Sequence, residues 1–128
     1  MHNESAIAAY KRASLENAPP LKIVQMLYQG AIRFLDQAAA LDPQLRPADY
    51  NERLGRADQI VAELRLCLER EHAPQLCEQL EQLYLFAEER IATALVERRR
   101  EPIAEARSVL LKLLDGWKQL ELDGTQAA

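Results

Sequence analysis

The chain reads as all-α, an antiparallel up-down four-helix bundle with a short capping helix in front, and three observations predict this. Of its 128 residues 48% are hydrophobic and only 5% aromatic, with 4 glycines and many Leu, Ala, Glu, Gln and Arg residues, a helix-forming balance. Every long segment repeats its apolar residues at spacings of three and four, where strands would alternate. Short proline-bearing breaks separate these segments, and a short link makes successive helices antiparallel neighbours. One domain is expected, residues 1–128, with 1–16 as a cap segment and 123–128 as a loose tail.

The leading segment, around Ser5 to Leu15, places Ile7 and Tyr10 on one face. It is near the length at which an isolated helix is marginal, about 12 residues, so it must dock to persist. The first long helix follows Asn17, an N-cap candidate, and the entry prolines Pro19 and Pro20. Nothing then breaks it before Asp42-Pro43. On a wheel at about 100° per residue, Ile23, Val24, Leu27, Tyr28, Ala31, Ile32, Phe34, Leu35, Ala38 and Leu41 form one arc of roughly 180°. A surface helix needs only about 100° to meet one core, so this one is wedged between neighbours or keeps a face for a partner.

Helix formation resumes near Ala48-Asp49, and Tyr50, Leu54, Ala57, Val61, Leu64 and Leu68 mark the second seam, widened by Ile60 and Cys67. His72-Ala73-Pro74 breaks the chain again. The third seam reads Leu76, Leu80, Leu83, Ala87, Ile91 and Ala94, with Cys77, Tyr84 and Leu95 alongside. Arg98-Arg99-Arg100 follows; it reads either as an anion-docking patch or, with more weight, as cations set against a helix dipole. Pro102 opens the last helix at N1, whose seam is Ile103, Ala106, Leu110, Leu113, Trp117 and Leu120, bordered by Val109 and Leu114. Asp123-Gly124 is the expected stop.

Composition and spacing exclude several functions. A formal net charge of −4 is the wrong balance for a nucleic-acid platform. No apolar run approaches membrane-spanning length, and Met1-His2-Asn3-Glu4-Ser5 lacks the start of a secretory signal, so a cytosolic protein is expected. Cys67 and Cys77 fit neither a redox pair nor a zinc site and read as inert. Glu69-Arg70-Glu71-His72 matches a di-iron motif once, at a helix end, and His2 cannot supply the second; nor does a phosphotransfer histidine or a nucleophile triad have candidates. The chain is therefore expected to be no enzyme and to need no cofactor or metal.

What remains is surplus apolar surface. Met26, Leu27 and Ile32 on the first long helix, Leu66 on the second, Leu85 on the third and Leu111 on the last, together with Ile7 and Tyr10, are the candidate binding residues. Residues of this kind along grooves suit an amphipathic helical client, and they would equally suit a homo-oligomer.

Ala18-x-Pro20-x-Lys22-Ile23-Val24-x-Met26-Leu27-Tyr28-x-Gly30-Ala31 resembles the signature of the flagellar secretion chaperone family. So do Ala9-Tyr10, Ile60-x-x-Glu63-Leu64-x-x-x-Leu68, Leu80-x-x-Leu83-Tyr84-x-Phe86 and Trp117, in the same order along nearly the whole chain. Pro19, Ile23 and Gln29 depart from the usual residues, and His72-Ala73-Pro74 replaces the common Gly-Gly link. The resemblance implies a monomer that binds one flagellin through its C-terminal helical segment, blocks premature polymerisation and aids delivery to the type III export apparatus. It further implies Ile7 and Tyr10 in docking at an export gate protein, and for some members an anti-sigma factor as partner. The alternative is a homo-oligomeric structural bundle without a flagellin client.

Overall fold

The computed structural model describes residues 21–71 and 73–127, with the side chains of Leu21 and of residues 120–127 left out. Four helices form, α1 (Leu21–Ala39), α2 (Pro47–Leu66), α3 (Pro74–Glu97) and α4 (Glu101–Ala127), and no strand occurs among the described residues. Each helix packs on the next and α4 returns to α1, closing a ring of four. The directions alternate. Tyr50, in the first turn of α2, bonds Ala94 near the end of α3, and Arg107, early in α4, pairs with Asp36 late in α1. The all-α, up-down bundle is as the sequence predicts; the capping segment, Asn17, Pro19 and Pro20 lie outside the described residues.

Proline starts two of these helices. Pro47 and Pro74 occupy the first helical positions of α2 and α3, and neither Arg46 nor Ala73 makes a side-chain cap. A fixed φ near −65° and an N–H that is not needed replace the usual cap there. Pro102 does the same work at the start of α4 from a fully buried position, so it serves the core as well. The arginine run divides its labour. Arg98 closes α3 in the left-handed region (φ 55°, ψ 43°), Arg99 pairs with Glu97, and Arg100 donates to the Ala39 carbonyl at 3.3 Å. Arg100 thus serves the C-terminus of α1, a helix 61 positions away in the chain.

The core is apolar throughout, with no buried charged residue among those described. Ala31, Ala38, Ala57, Ala87, Ala94 and Ala106 have no exposed surface, which lets helices approach closely, and Tyr28, Tyr50, Tyr84, Leu35, Leu54, Ile91, Ile103 and Leu110 fill the spaces between them. The α2 seam is buried as expected from Tyr50 to Leu64, with Leu68 half-buried against it.

Two seams are rotated from their expected phase. On α3, Leu76 and Leu83 are exposed whereas Cys77 and Tyr84 are buried. The Tyr84 hydroxyl bonds that of Tyr28 across the bundle, which turns the centre of the buried stripe toward Tyr84. On α4, Leu114 joins the core while Leu113 and Trp117 are half-buried against it. The C-terminal stop is also corrected: α4 passes Asp123-Gly124 and reaches Ala127. A glycine ends a helix by turning left-handed, and no glycine among the described residues has positive φ.

Gly55 lies inside α2 with nothing within 4 Å of where a Cβ would stand. Gly55→Ala should therefore stabilise the fold by about 0.5–1 kcal/mol, the helix-interior difference between these residues, read as a higher midpoint in urea. Trp117→Ala should destabilise, but by less than the roughly 3–5 kcal/mol of a fully buried aromatic. A parental melting curve, or a full-sized loss, would show the phase of α4 to be otherwise.

Candidate functional site

Between α1 and α4 the outer surface sinks into an open groove of about 520 Å³. From α1 come Gln29, Ile32, Arg33, Asp36 and Gln37, a strip at helical spacing, followed by Ala40 just past its end; from α4 come Leu111, Leu114 and Lys118 at steps of three and four. Ile32, Leu111 and Leu114 make an apolar floor, and the polar residues stand on the rim. One bonded pair bridges the walls, Arg107 Nε to Asp36 Oδ1 at 2.6 Å. An apolar floor between polar edges is the complement of one side of an amphipathic helix.

Of the residues chosen from sequence, the groove brings together Ile32 and Leu111. Leu27 is a correction: it is buried in the bundle core and does not line the groove. Met26 is exposed on the outer face of α1, while Leu66 and Leu85 are exposed on α2 and α3, away from this groove. Ile7 and Tyr10 lie outside the described residues. Sequence reasoning left Leu114 at a seam edge, although its step of three from Leu111 was a usable signal.

A second apolar strip runs along α3, where Leu76, Leu83 and Phe86 are exposed at steps of seven and three. Arg90 continues that strip and reaches Glu105 on α4 at 3.3 Å, so the strip borders the α3/α4 seam. The sequence reading had placed Leu76 and Leu83 in the core.

Ion pairs cross three seams between helices. Arg65 of α2 grips Glu88 of α3 through Nε at 2.6 Å and through its second nitrogen at 3.2 Å, a forked pair with both side chains half-buried. Asp58 sits beside this pair, and burial pushes its carboxyl above the ordinary range; Glu88 adds to that rise and Arg65 opposes it. Burial likewise raises the Tyr50 phenol. Cys77 is buried and its thiol donates to the Glu69 carbonyl at 3.3 Å, while Cys67 is half-buried; neither is in a disulfide. No group of three metal-ligating side chains occurs among the described residues, and His2 and His72 are not among them. No described helix is long and apolar enough to cross a membrane.

The described residues thus form a closed ring of four helices with an apolar groove on its outside. Residues 2–123 match the family described as flagellar protein FliS. The chain is 33% identical over 119 residues to the flagellar secretion chaperone FliS of Vibrio cholerae, covering 90% of this chain and 88% of that one. It is 28% identical to the chaperone of the same name from Campylobacter jejuni, over 99% of both chains, and 27% identical to that of Salmonella typhimurium, over 94% and 93%. The chain belongs to the FliS family. The names of its relatives point to a non-enzymatic role with a client bound for flagellar export.

The raised Asp58 carboxyl sets a pH dependence. The folded chain holds that proton more tightly than the unfolded chain does, so the resulting stabilisation is complete below 3.8 and is lost as pH rises through the raised value. Asp58→Asn should therefore raise the melting temperature at pH 7, by an amount that shrinks as pH falls toward 4. A gain that grew on acidification would contradict the assignment.

Proposed function

We propose that this chain is a cytoplasmic export chaperone that holds the C-terminal helical segment of flagellin. One monomer takes one client, covers its apolar stripe, prevents premature polymerisation and hands it to the flagellar type III export apparatus through an export gate protein. The observation that carries this reading is the α1/α4 groove, where Ile32, Leu111 and Leu114 form a floor between polar rims. A client helix laying residues at i, i+3 and i+7 into the groove would shield the surface that otherwise drives filament assembly. Each large apolar side chain fully buried this way is worth about 1.5–3 kcal/mol before the costs of association are subtracted. No chemistry is needed for such a task. Binding and release suffice.

The α3 strip of Leu76, Leu83 and Phe86 favours a second reading, self-association of the chain through that face. Sedimentation of the full-length protein with and without a flagellin C-terminal peptide separates the two. The first reading expects a monomer that gains one peptide mass, the second a concentration-dependent oligomer indifferent to peptide.

Leu111→Gln should weaken peptide binding at least tenfold, about 1.4 kcal/mol, with the helical circular dichroism retained. Leu85→Gln, on α3 and outside the groove, should bind as the parent does. Parental affinity in the Leu111 variant would remove the groove from the client site.

A further inference from the structure

The seam on the other side of α1 carries a different chemistry. Phe34 of α1 is half-buried, and two guanidiniums lie near its ring, the Arg33 Cζ 5.9 Å and the Arg56 Cζ 5.7 Å from the centroid. Farther along the same seam is a concavity of about 460 Å³, lined by Gln37, Ala40 and Leu41 of α1 and its link and by Arg46, Asp49 and Arg53 of the facing strand of chain. Phe34 and Gln37 are one helical step apart on α1, as are Asp49, Arg53 and Arg56 on α2. The two features follow one another along the α1/α2 seam, which carries Phe34 and Leu41 beside an arginine-rich edge.

Its charge is opposite in sign to that of the whole molecule. Arg33, Arg46, Arg53 and Arg56 face two acids, Asp49, paired with Arg46, and Glu52, paired with Arg53 and 3.7 Å from Arg56. Four cations against two anions leave an excess of two positive charges on a chain whose formal net charge is −4. Arg33 forms no ion pair among the described residues.

Cation–π attraction draws a guanidinium toward a ring without using up its N–H donors, which can still engage an anion. Guanidinium edges fixed in this way suit carboxylates, which they engage through two parallel hydrogen bonds. From this geometry we infer that the α1/α2 cleft is a second docking surface, whose occupant is an acidic peptide segment that places Asp or Glu side chains on the arginines and an apolar side chain against Phe34 and Leu41. The apolar floor between the arginines favours a peptide over a nucleic acid, whose phosphates would leave Phe34 and Leu41 without a partner. The inference stands apart from the flagellin reading, because it concerns a different seam and a different ligand chemistry.

The test uses the intact chain, labelled with ¹⁵N, and a probe peptide of four glutamates around a central leucine and phenylalanine. Its controls are the same peptide with lysines in place of the glutamates and a single-stranded oligodeoxynucleotide of similar charge. The acidic peptide should shift the side-chain Nε resonances of Arg33, Arg53 and Arg56, and binding should weaken as salt rises from 50 to 500 mM, about 14 to 4 Å in Debye length. Arg53→Glu combined with Arg56→Glu should weaken it at least tenfold while the melting temperature stays near that of the parent. These residues avoid the α1/α4 groove, which Arg33 also borders, so flagellin-peptide binding should survive the double change. Should the double variant fold poorly, Arg56→Gln alone is expected to give a loss of several fold. The inference is overturned by no shift at millimolar peptide, by an equal response to the lysine peptide, or by tighter binding of the oligonucleotide at the same arginines.

Discussion

Three tyrosine hydroxyls inside an apolar core set the register of this bundle. Apolar contact is non-directional and tolerates sliding, whereas a buried hydroxyl without a partner costs about 1–3 kcal/mol. Tyr28 and Tyr84 meet across the diagonal between α1 and α3. The Tyr50 hydroxyl lies 3.0 Å from both the Ala94 and the Arg99 carbonyls, and so ties the start of α2 to the end of α3 and to the link beyond it. Sliding any helix by one turn, about 5.4 Å, would break these bonds. The constraint spreads from there. With Arg99 held, Arg100 can cap Ala39 of α1, and the Ile103 N–H bonds the Arg100 carbonyl at 3.0 Å to open α4. One end of all four helices is fastened through one phenol.

Fixed register decides what the outer grooves contain. Because α1 cannot slide, Ile32 stays level with Leu111 and Leu114 on one side, and Phe34 stays level with Arg56 on the other. Arg33 stands on the ridge between the two grooves, so α1 supplies core, the groove toward α4 and the arginine cleft toward α2 from successive faces. Its apolar arc, wider than one core contact needs, is explained by this triple duty. Gly30 is part of the same account. A Cβ there would lie 3.5 Å from Ile60 Cδ1, an ordinary contact, so α1 and α2 approach as closely as an alanine would allow.

Helix number, order and breaks were legible because period and proline are local signals. Phase was less so. Leu76 and Leu83 share hydrophobicity and spacing with Leu80 and Ile91, and only the Tyr28–Tyr84 bond, between residues 56 positions apart, selects which of them turn inward. Leu114 displaced Leu113 and Trp117 from the centre of α4 for the same kind of reason, since two neighbouring faces of that helix are almost equally apolar. In the candidate site, Ile32 and Leu111 were recognisable as surplus to the seams. Leu27 was not recognisable as core, because a Leu on a broad apolar arc gives no sign of which edge faces solvent. The arginine cleft was invisible for another reason: Arg33 and Phe34 are unremarkable until a second helix brings Arg56 within 5.7 Å of the same ring.

The distribution of acids on α3 bears on whether its apolar strip seeks a second copy. Leu76, Leu83 and Phe86 are exposed on a helix whose outer surface also carries Glu78, while Glu81, Glu88 and Glu89 are engaged by Arg70, Arg65 and Arg90. In an isologous pairing each copy would bring the same strip, and with it Glu78, against its equal. Burying those like charges together opposes the gain from three apolar side chains, and it does so most at low ionic strength. A client of different sequence carries no such penalty and can place its own cations there. The α1/α4 groove lacks this conflict, since its rim mixes Asp36 with Arg33 and Lys118 and its floor is concave. That contrast is the physical ground for the proposed monomer. The surface repels its own image and remains open to a helix of another composition.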